Sequence, residues 1–188
     1  MGSETRQRMI AGAARLLARR GLQETSFAEV LALTGAPRGS IYHHFPDGKD
    51  QLIAAAIDLA GEHAESYMDL AAGTSAQNVT AHFLRAWRTL LEQSDFQAGC
   101  SVLAVTVATD SMGLLDHAAQ VFRNWRAQLA RLLHDGGLPE NESRQFAALL
   151  IASTEGAVAM SRAEHSMEPF DLVSDSLTQT VAGLNAAS

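Results

Sequence analysis

Two cations, Arg38 and Lys49, each fall in the first turn of a predicted helix, the end where the macrodipole disfavours positive charge by about 0.3–1 kcal/mol. Lys49 is the only lysine in the chain. A cation kept at the unfavourable end implies an external anion that it meets. Phosphates lying against these helix starts would accept side-chain donors and backbone N–H groups together, and Thr25 and Ser26, opening the preceding helix, can serve in the same way. The run Pro37-Arg38-Gly39-Ser40 sets a fork of guanidinium donors beside two small residues. A helix tip of that composition is slim enough for the major groove of double-stranded DNA, and its donors reach guanine or phosphate. Tyr42 and His43, followed by His44, carry side chains suited to phosphate hydrogen bonds rather than to reading bases.

Catalytic or metal chemistry finds less support. Cys100 is the single cysteine, so a disulfide framework and cysteine-cluster zinc sites are excluded, and its neighbours Gly99, Ser101, Val102 and Leu103 supply no activating charge or base. A thiol-dependent helical enzyme pairing Cys100 with His117 is the main alternative function. No glycine-rich phosphate loop, nucleophile elbow or metal motif accompanies it. His117 and His165 lack a ligating partner four residues away, so no metal or cofactor is expected. Glu155 is a lone carboxylate in a small, apolar stretch; facing solvent is its simplest role, with pairing across a dimer or orienting a ligand as the others.

Helices must position these residues, because alternating strand patterns are nearly absent. Met9, Ile10, Ala13, Leu16 and Leu17 recur at helical spacing up to a stop at Gly21. Ser26 and Glu29 have capping-box spacing for a second helix that ends at Thr34-Gly35. Pro37 suits the first position of a short third helix, with Ile41, Tyr42 and Phe45 on its inner side and Pro46 as its end. Asp47 is read as the cap of a fourth helix reaching residue 70. Five further segments follow at 77–93, 100–110, 114–134, 140–165 and 170–184. The Val-rich one at 100–110 is read as a buried helix because no partner strand exists.

Composition bounds the class. The chain has 188 residues, is 47% apolar and 19% charged, and contains no run of the roughly 18 apolar residues a membrane span needs. With no apolar signal core behind Met1, the expectation is a soluble, cytoplasmic protein. Its net charge of −7 is divided unevenly. Residues 1–50 hold seven bases and five acids, a balance of +2, against seven bases and sixteen acids, −9, in the remainder. One segment faces an anion and the other has no need to.

The stretch from Thr25 through Thr34-Gly35-Ala36-Pro37-Arg38-Gly39-Ser40-Ile41-Tyr42-His43-His44-Phe45-Pro46-Asp47-Gly48-Lys49 to Leu52 resembles the DNA-binding domain of the TetR family of transcriptional regulators. Tyr-x-His-Phe followed by Lys four residues later is that family's signature, and the likeness covers residues 5–55. Gly99-Cys100, the run 122–126 and the run 155–163 resemble the subgroup responding to lincomycin or flavonoids; Ser101 and 107–109 depart from it. The resemblance implies that Arg38, Ser40 and Tyr42 face the groove or its wall, that His43, Thr25 and Lys49 hold phosphates, and that Phe27, Ile41 and Phe45 are core.

The expected fold is all-α: a three-helix helix-turn-helix DNA-binding domain over residues 1–48, then a larger helical effector-binding and dimerisation domain over 49–188, joined by the fourth helix as lever. The expected function is a homodimeric repressor on a pseudo-palindromic operator, released by a small apolar or aromatic effector. Phe83, Trp87, Phe96, Cys100, Met112, Phe122, Trp125, Glu155 and Met160 are the candidate effector contacts. Ala147, Ala148, Ile151, Ala152, Ala159 and Ala163 give the penultimate helix a small-residue surface suited to a two-fold contact. A dimeric ligand-binding module acting on a protein partner is the second alternative.

Overall fold

The computed structural model describes residues 2–186. Among them the chain forms α1 (Gly2–Glu24), α2 (Phe27–Thr34), α3 (Arg38–His44), α4 (Lys49–Asp69), α5 (Ala76–Ser94), α6 (Ser101–Thr106), α7 (Met112–Asp135), α8 (Glu140–Glu164) and α9 (Glu168–Ala186), with no strand. The helices fall where periodicity and stop signals place them. Gly21 does interrupt α1, adopting φ 77°, yet the helical run resumes across this kink to Glu24. The Val-rich segment is helical over six residues only, burying Val102 and Val105 three apart and ending in the loop before α7.

Contacts divide the chain into two compact units, Met1–His63 with Cys100–Val121, and Ala64–Gly99 with Phe122–Ser188. In the first, α1 buries Met9, Ile10, Ala13, Leu16 and Leu17 and packs against α2, α3 and α6. Val30, Ile41, Phe45, Leu52, Ile53 and Ile57 complete that core. The proposed head, residues 1–48, lies within this unit.

In the second unit, α5 packs on α8 and α9, which also pack on one another. Its core includes Phe83, Leu91, Trp125, Leu129, Phe146, Leu150, Val158, Phe170 and Leu177. α8 buries a wide face, and this corrects two expectations. Ala147 and Ile151 point inward, so the solvent-facing stripe is Leu149, Ala152, Gly156, Ala159, Met160 and Ala163. Glu155, expected in solvent, is 7% exposed, because the next inward position after Ile151 and Thr154 falls on it.

One glycine in this unit is fixed by packing. A Cβ on Gly136 would lie 2.6 Å from the Ala76 nitrogen and 2.9 Å from the Thr74 oxygen, and the Ala76 N–H donates to the Gly136 carbonyl at 2.9 Å. Backbone cannot yield as a side chain does. Gly136→Ala is therefore expected to destabilise the chain by about 1–3 kcal/mol, a fall in Tm of roughly 3–10 °C by calorimetry, whereas Gly183→Ala, with open space at its Cβ, should leave Tm level or raise it.

Candidate functional site

The helix pair α2 and α3 is set by local chemistry. Ser26 caps α2, its Oγ accepting from the Glu29 N–H at 3.2 Å. The Glu29 carboxylate accepts from Arg20 at 2.9 Å, tying α2 to α1. Gly35, at φ 65°, closes α2 in the left-handed conformation that favours glycine, its N–H donating to the Leu31 carbonyl at 2.9 Å. Pro37 is the N-cap of α3, one position earlier than expected, and supplies no side-chain cap. The Ser40 hydroxyl instead donates to the Pro37 carbonyl at 2.6 Å, which ties the first turn to the cap residue and leaves the first N–H groups of α3 without a side-chain cap.

Fully buried Ile41 and Phe45 pin α3 from below. Its outer side then presents Arg38, Gly39, Tyr42 and His43. Tyr42, read from the sequence as part of the inner side, is instead 69% exposed, because the inward positions of so short a helix are taken by Ile41 and Phe45; an edge contact with the half-buried Phe27 holds it, ring centroids 5.7 Å apart. Phe27, expected in the core, is thus a support for Tyr42. Gly39 has a helical backbone and nothing within 4 Å of a notional Cβ, so no internal contact requires glycine there.

Two predicted contacts have internal partners. Thr25 is fully buried, its hydroxyl donating to the Gly21 carbonyl at 2.8 Å. Lys49 Nζ donates to the Leu22 carbonyl at 2.9 Å. The Lys49 cation therefore sits at the carbonyl end of α1, which answers its place at the start of α4 without an external anion. Asp47, read as the α4 cap, lies too early: Gly48, at φ 90°, directly precedes Lys49, and the Asp47 N–H donates to Gln51 Oε1 at 3.2 Å. Arg38 has no hydrogen bond or ion pair among the described residues.

In the second unit Phe83, Trp87 and Trp125 come together around a cavity of about 220 Å³, completed by Ala64, Tyr67, Met68, Ala86 and Leu90. Tyr67 stacks on His82 at 4.2 Å, and His82 Nε2 lies 2.8 Å from the Tyr67 carbonyl oxygen, which fixes the ring against this wall. The remaining candidates do not line it. Phe122 touches the Trp125 ring edge-on at 5.6 Å. Phe96, at φ 58°, meets the His165 ring at 5.1 Å. Met160 is 45% exposed, and Glu155 is buried on α8. Cys100 and Met112 belong to the first unit. There Met112 is exposed, and Cys100 caps α6, Sγ accepting from the Leu103 N–H at 3.3 Å. His117 Nδ1 lies 3.2 Å from Asp58 Oδ1. Sequence reasoning missed Tyr67, Met68 and Leu90, although 64, 67 and 68 on α4 and 83, 86, 87 and 90 on α5 repeat at helical spacing.

Comparison with known proteins decides the family. Residues 9–56 match the model for bacterial regulatory proteins of the tetR family, and residues 76–176 match the C-terminal domain of LmrA/YxaF-like transcriptional regulators. The chain is 35% identical over 175 residues to the HTH-type transcriptional regulator Rv0196 of Mycobacterium tuberculosis, covering 89% of each. The chain belongs to the TetR family of transcriptional regulators. Accordingly this TetR-family protein is a DNA-binding regulator of transcription and not an enzyme, with an N-terminal helix-turn-helix DNA-binding domain. It is also 28% identical to the HTH-type regulator YxaF of Bacillus subtilis, covering 93% of each. A TetR transcriptional regulator from Chloroflexus aurantiacus superposes with a TM-score of 0.80 at 29% identity, over 96% of each chain. No described helix of this TetR-family chain is long and apolar enough to cross a membrane.

Proposed function

We propose that this regulator is a homodimeric repressor that leaves a pseudo-palindromic operator when a small apolar effector enters the cavity beside Trp87 and Trp125. The cavity carries the reading, since its walls are aromatic and aliphatic side chains with almost no polar group. At about 220 Å³ it is smaller than the pockets of roughly 300–1,000 Å³ that hold drug-sized ligands, which favours an effector of one or two rings. The matched LmrA/YxaF-like domain spans the residues that form most of it.

On the DNA side, Pro37, Arg38, Gly39, Ser40, Tyr42 and His43 are proposed as contacts, with Ser26 offering backbone at the start of α2. Thr25 and Lys49 are proposed to act by holding α1, α2 and α4 in register, and the two remaining ammonium hydrogens of Lys49 are free to meet phosphate. Residues 1–48 serve as the head and 49–188 as the sensor and dimer contact. Dimerisation is proposed along the α8 stripe from Leu149 to Ala163, whose small residues allow two helices to approach closely. A two-fold pair places both heads on successive major grooves about 34–36 Å apart. The effector acts by its differential affinity for a released state.

Both tryptophans of the chain line the cavity, so its own fluorescence reports occupancy. Titration with one- and two-ring apolar aromatics is expected to quench or shift that emission and to release operator duplex over the same concentration range, measured by fluorescence and by anisotropy of labelled DNA cut from upstream of the regulator's gene. Compounds that change the emission while leaving DNA bound would remove this cavity as the effector site.

A further inference from the structure

A second recess in the sensor unit has the opposite chemistry. Exposed faces of α7 and α8 enclose a cleft of about 580 Å³, with Arg123 and Arg126 on α7 and Asn141, Arg144 and Gln145 on α8 as walls and Ala127, Ala130 and Ala148 as floor. The residues on each helix recur at i, i+3, i+4 and i+7, so the cleft runs along both. Long basic side chains and alanine methyl groups line it together. No carboxylate lines it.

That absence is unusual for this unit. Ala64–Gly99 with Phe122–Ser188 contains seven arginines and twelve acids. Two of those arginines are neutralised twice over. Arg88 pairs with Asp171 and Glu92, and Arg131 with Asp69 and Asp135. By contrast, Arg126 and Arg144 have no hydrogen bond or ion pair among the described residues. They also stand beside the first two turns of α8, a helix of 25 residues whose amino end adds positive potential. Glu140 and Glu142, in that first turn, lie outside the cleft wall.

We propose that this cleft binds a small, oxygen-rich polyanion, bearing carboxylate or phosphate groups, through Arg126 and Arg144. Guanidinium forks match carboxylate and phosphate oxygens two at a time, and the amides of Asn141 and Gln145 supply neutral donors beside them. The volume is that of a compact metabolite. This ligand is chemically distinct from the apolar effector, so the regulator has two inputs in one unit. The site stands on these two arginines alone; Arg123 lines the cleft but already has an interaction within the chain.

Citrate and pyrophosphate serve as probes for the two oxygen chemistries, titrated calorimetrically into the full chain at constant ionic strength set with sodium chloride. At a hundredfold excess over Kd, the bound probe is expected to raise Tm by roughly 5–10 °C. The Arg126→Gln, Arg144→Gln double variant should weaken binding at least tenfold with an unchanged circular dichroism spectrum. Arg126→Lys with Arg144→Lys, retaining charge without the fork, should fall between, and Ala127→Leu should block the floor while every arginine remains. The proposal is overturned if neither probe binds the parent more tightly than the double variant. It is also overturned if the double variant alters sedimentation but not anion affinity, since the cleft would then be a contact between copies.

Discussion

With the α8 stripe as the proposed two-fold contact, Gly156→Arg is expected to give a folded monomer and to lower affinity for operator duplex by about 10²–10⁴, the advantage that two linked heads hold over one. Gly156 lies midway along the exposed stripe of α8, with Ala152 and Leu149 before it and Ala159, Met160 and Ala163 after it. Nothing lies within 4 Å of its notional Cβ. Inside the chain, then, glycine gains nothing here, while in a helix interior it costs roughly 1 kcal/mol relative to a better helix former. A guanidinium at this position is compatible with the monomer and is expected to raise its stability slightly. At a two-fold contact the same side chain enters twice and separates the backbones that the small residues let approach. Sedimentation velocity at micromolar concentration reads the first effect and operator anisotropy the second. A variant that still sediments as the parent does would remove the α8 stripe from the interface.

The helices were legible because their punctuation is chemical and local. Ser26, Gly35, Pro37 and the Gly136-Gly137 pair act through neighbouring backbone, and each bounds a helix as its type requires. The proposed recognition tip rests on the same kind of local signal, since Arg38, Gly39 and Tyr42 lie within two turns of one short helix. What stayed hidden depends on partners distant in sequence. Lys49 reads from its own helix as meeting an outside anion, because nothing in residues 45–53 shows that the carbonyl end of α1, 27 positions earlier, meets it. The cavity has the same character. Its walls come from α4, α5 and α7, and only packing separates Phe83, Trp87 and Trp125 from the aromatics that lie elsewhere. Glu155 was a readable miss: the broad inward face of α8, at 147, 150, 151, 154 and 158, passes through it. The left-handed conformations of Asp95, Phe96 and His165 gave no signal, because none of them is glycine.

Replacing Arg38 and Gly39 separates DNA recognition from stability at adjacent positions. Arg38 is exposed with no internal partner, so Arg38→Ala should leave Tm within about 1 °C, surface changes away from special features being worth under 0.5 kcal/mol. Its expected cost to operator binding is about 1–3 kcal/mol, with affinity for unrelated duplex nearly unchanged, if the fork reads a guanine edge as the slim tip of α3 allows. Gly39 gives the converse result. Glycine in the first turn of α3 meets nothing inside the fold, so Gly39→Ala should stabilise the chain by up to about 1 kcal/mol. The added bulk points to where a groove wall must come close. Gly39→Leu is therefore expected to keep that gain in Tm and lose operator binding by more than tenfold. A stabilising change that weakens function at one site cannot come from partial unfolding, and so the pair locates the contact on this face. Calorimetry and anisotropy at two salt concentrations decide it: undiminished operator affinity in both Arg38→Ala and Gly39→Leu would move the recognition surface off α3.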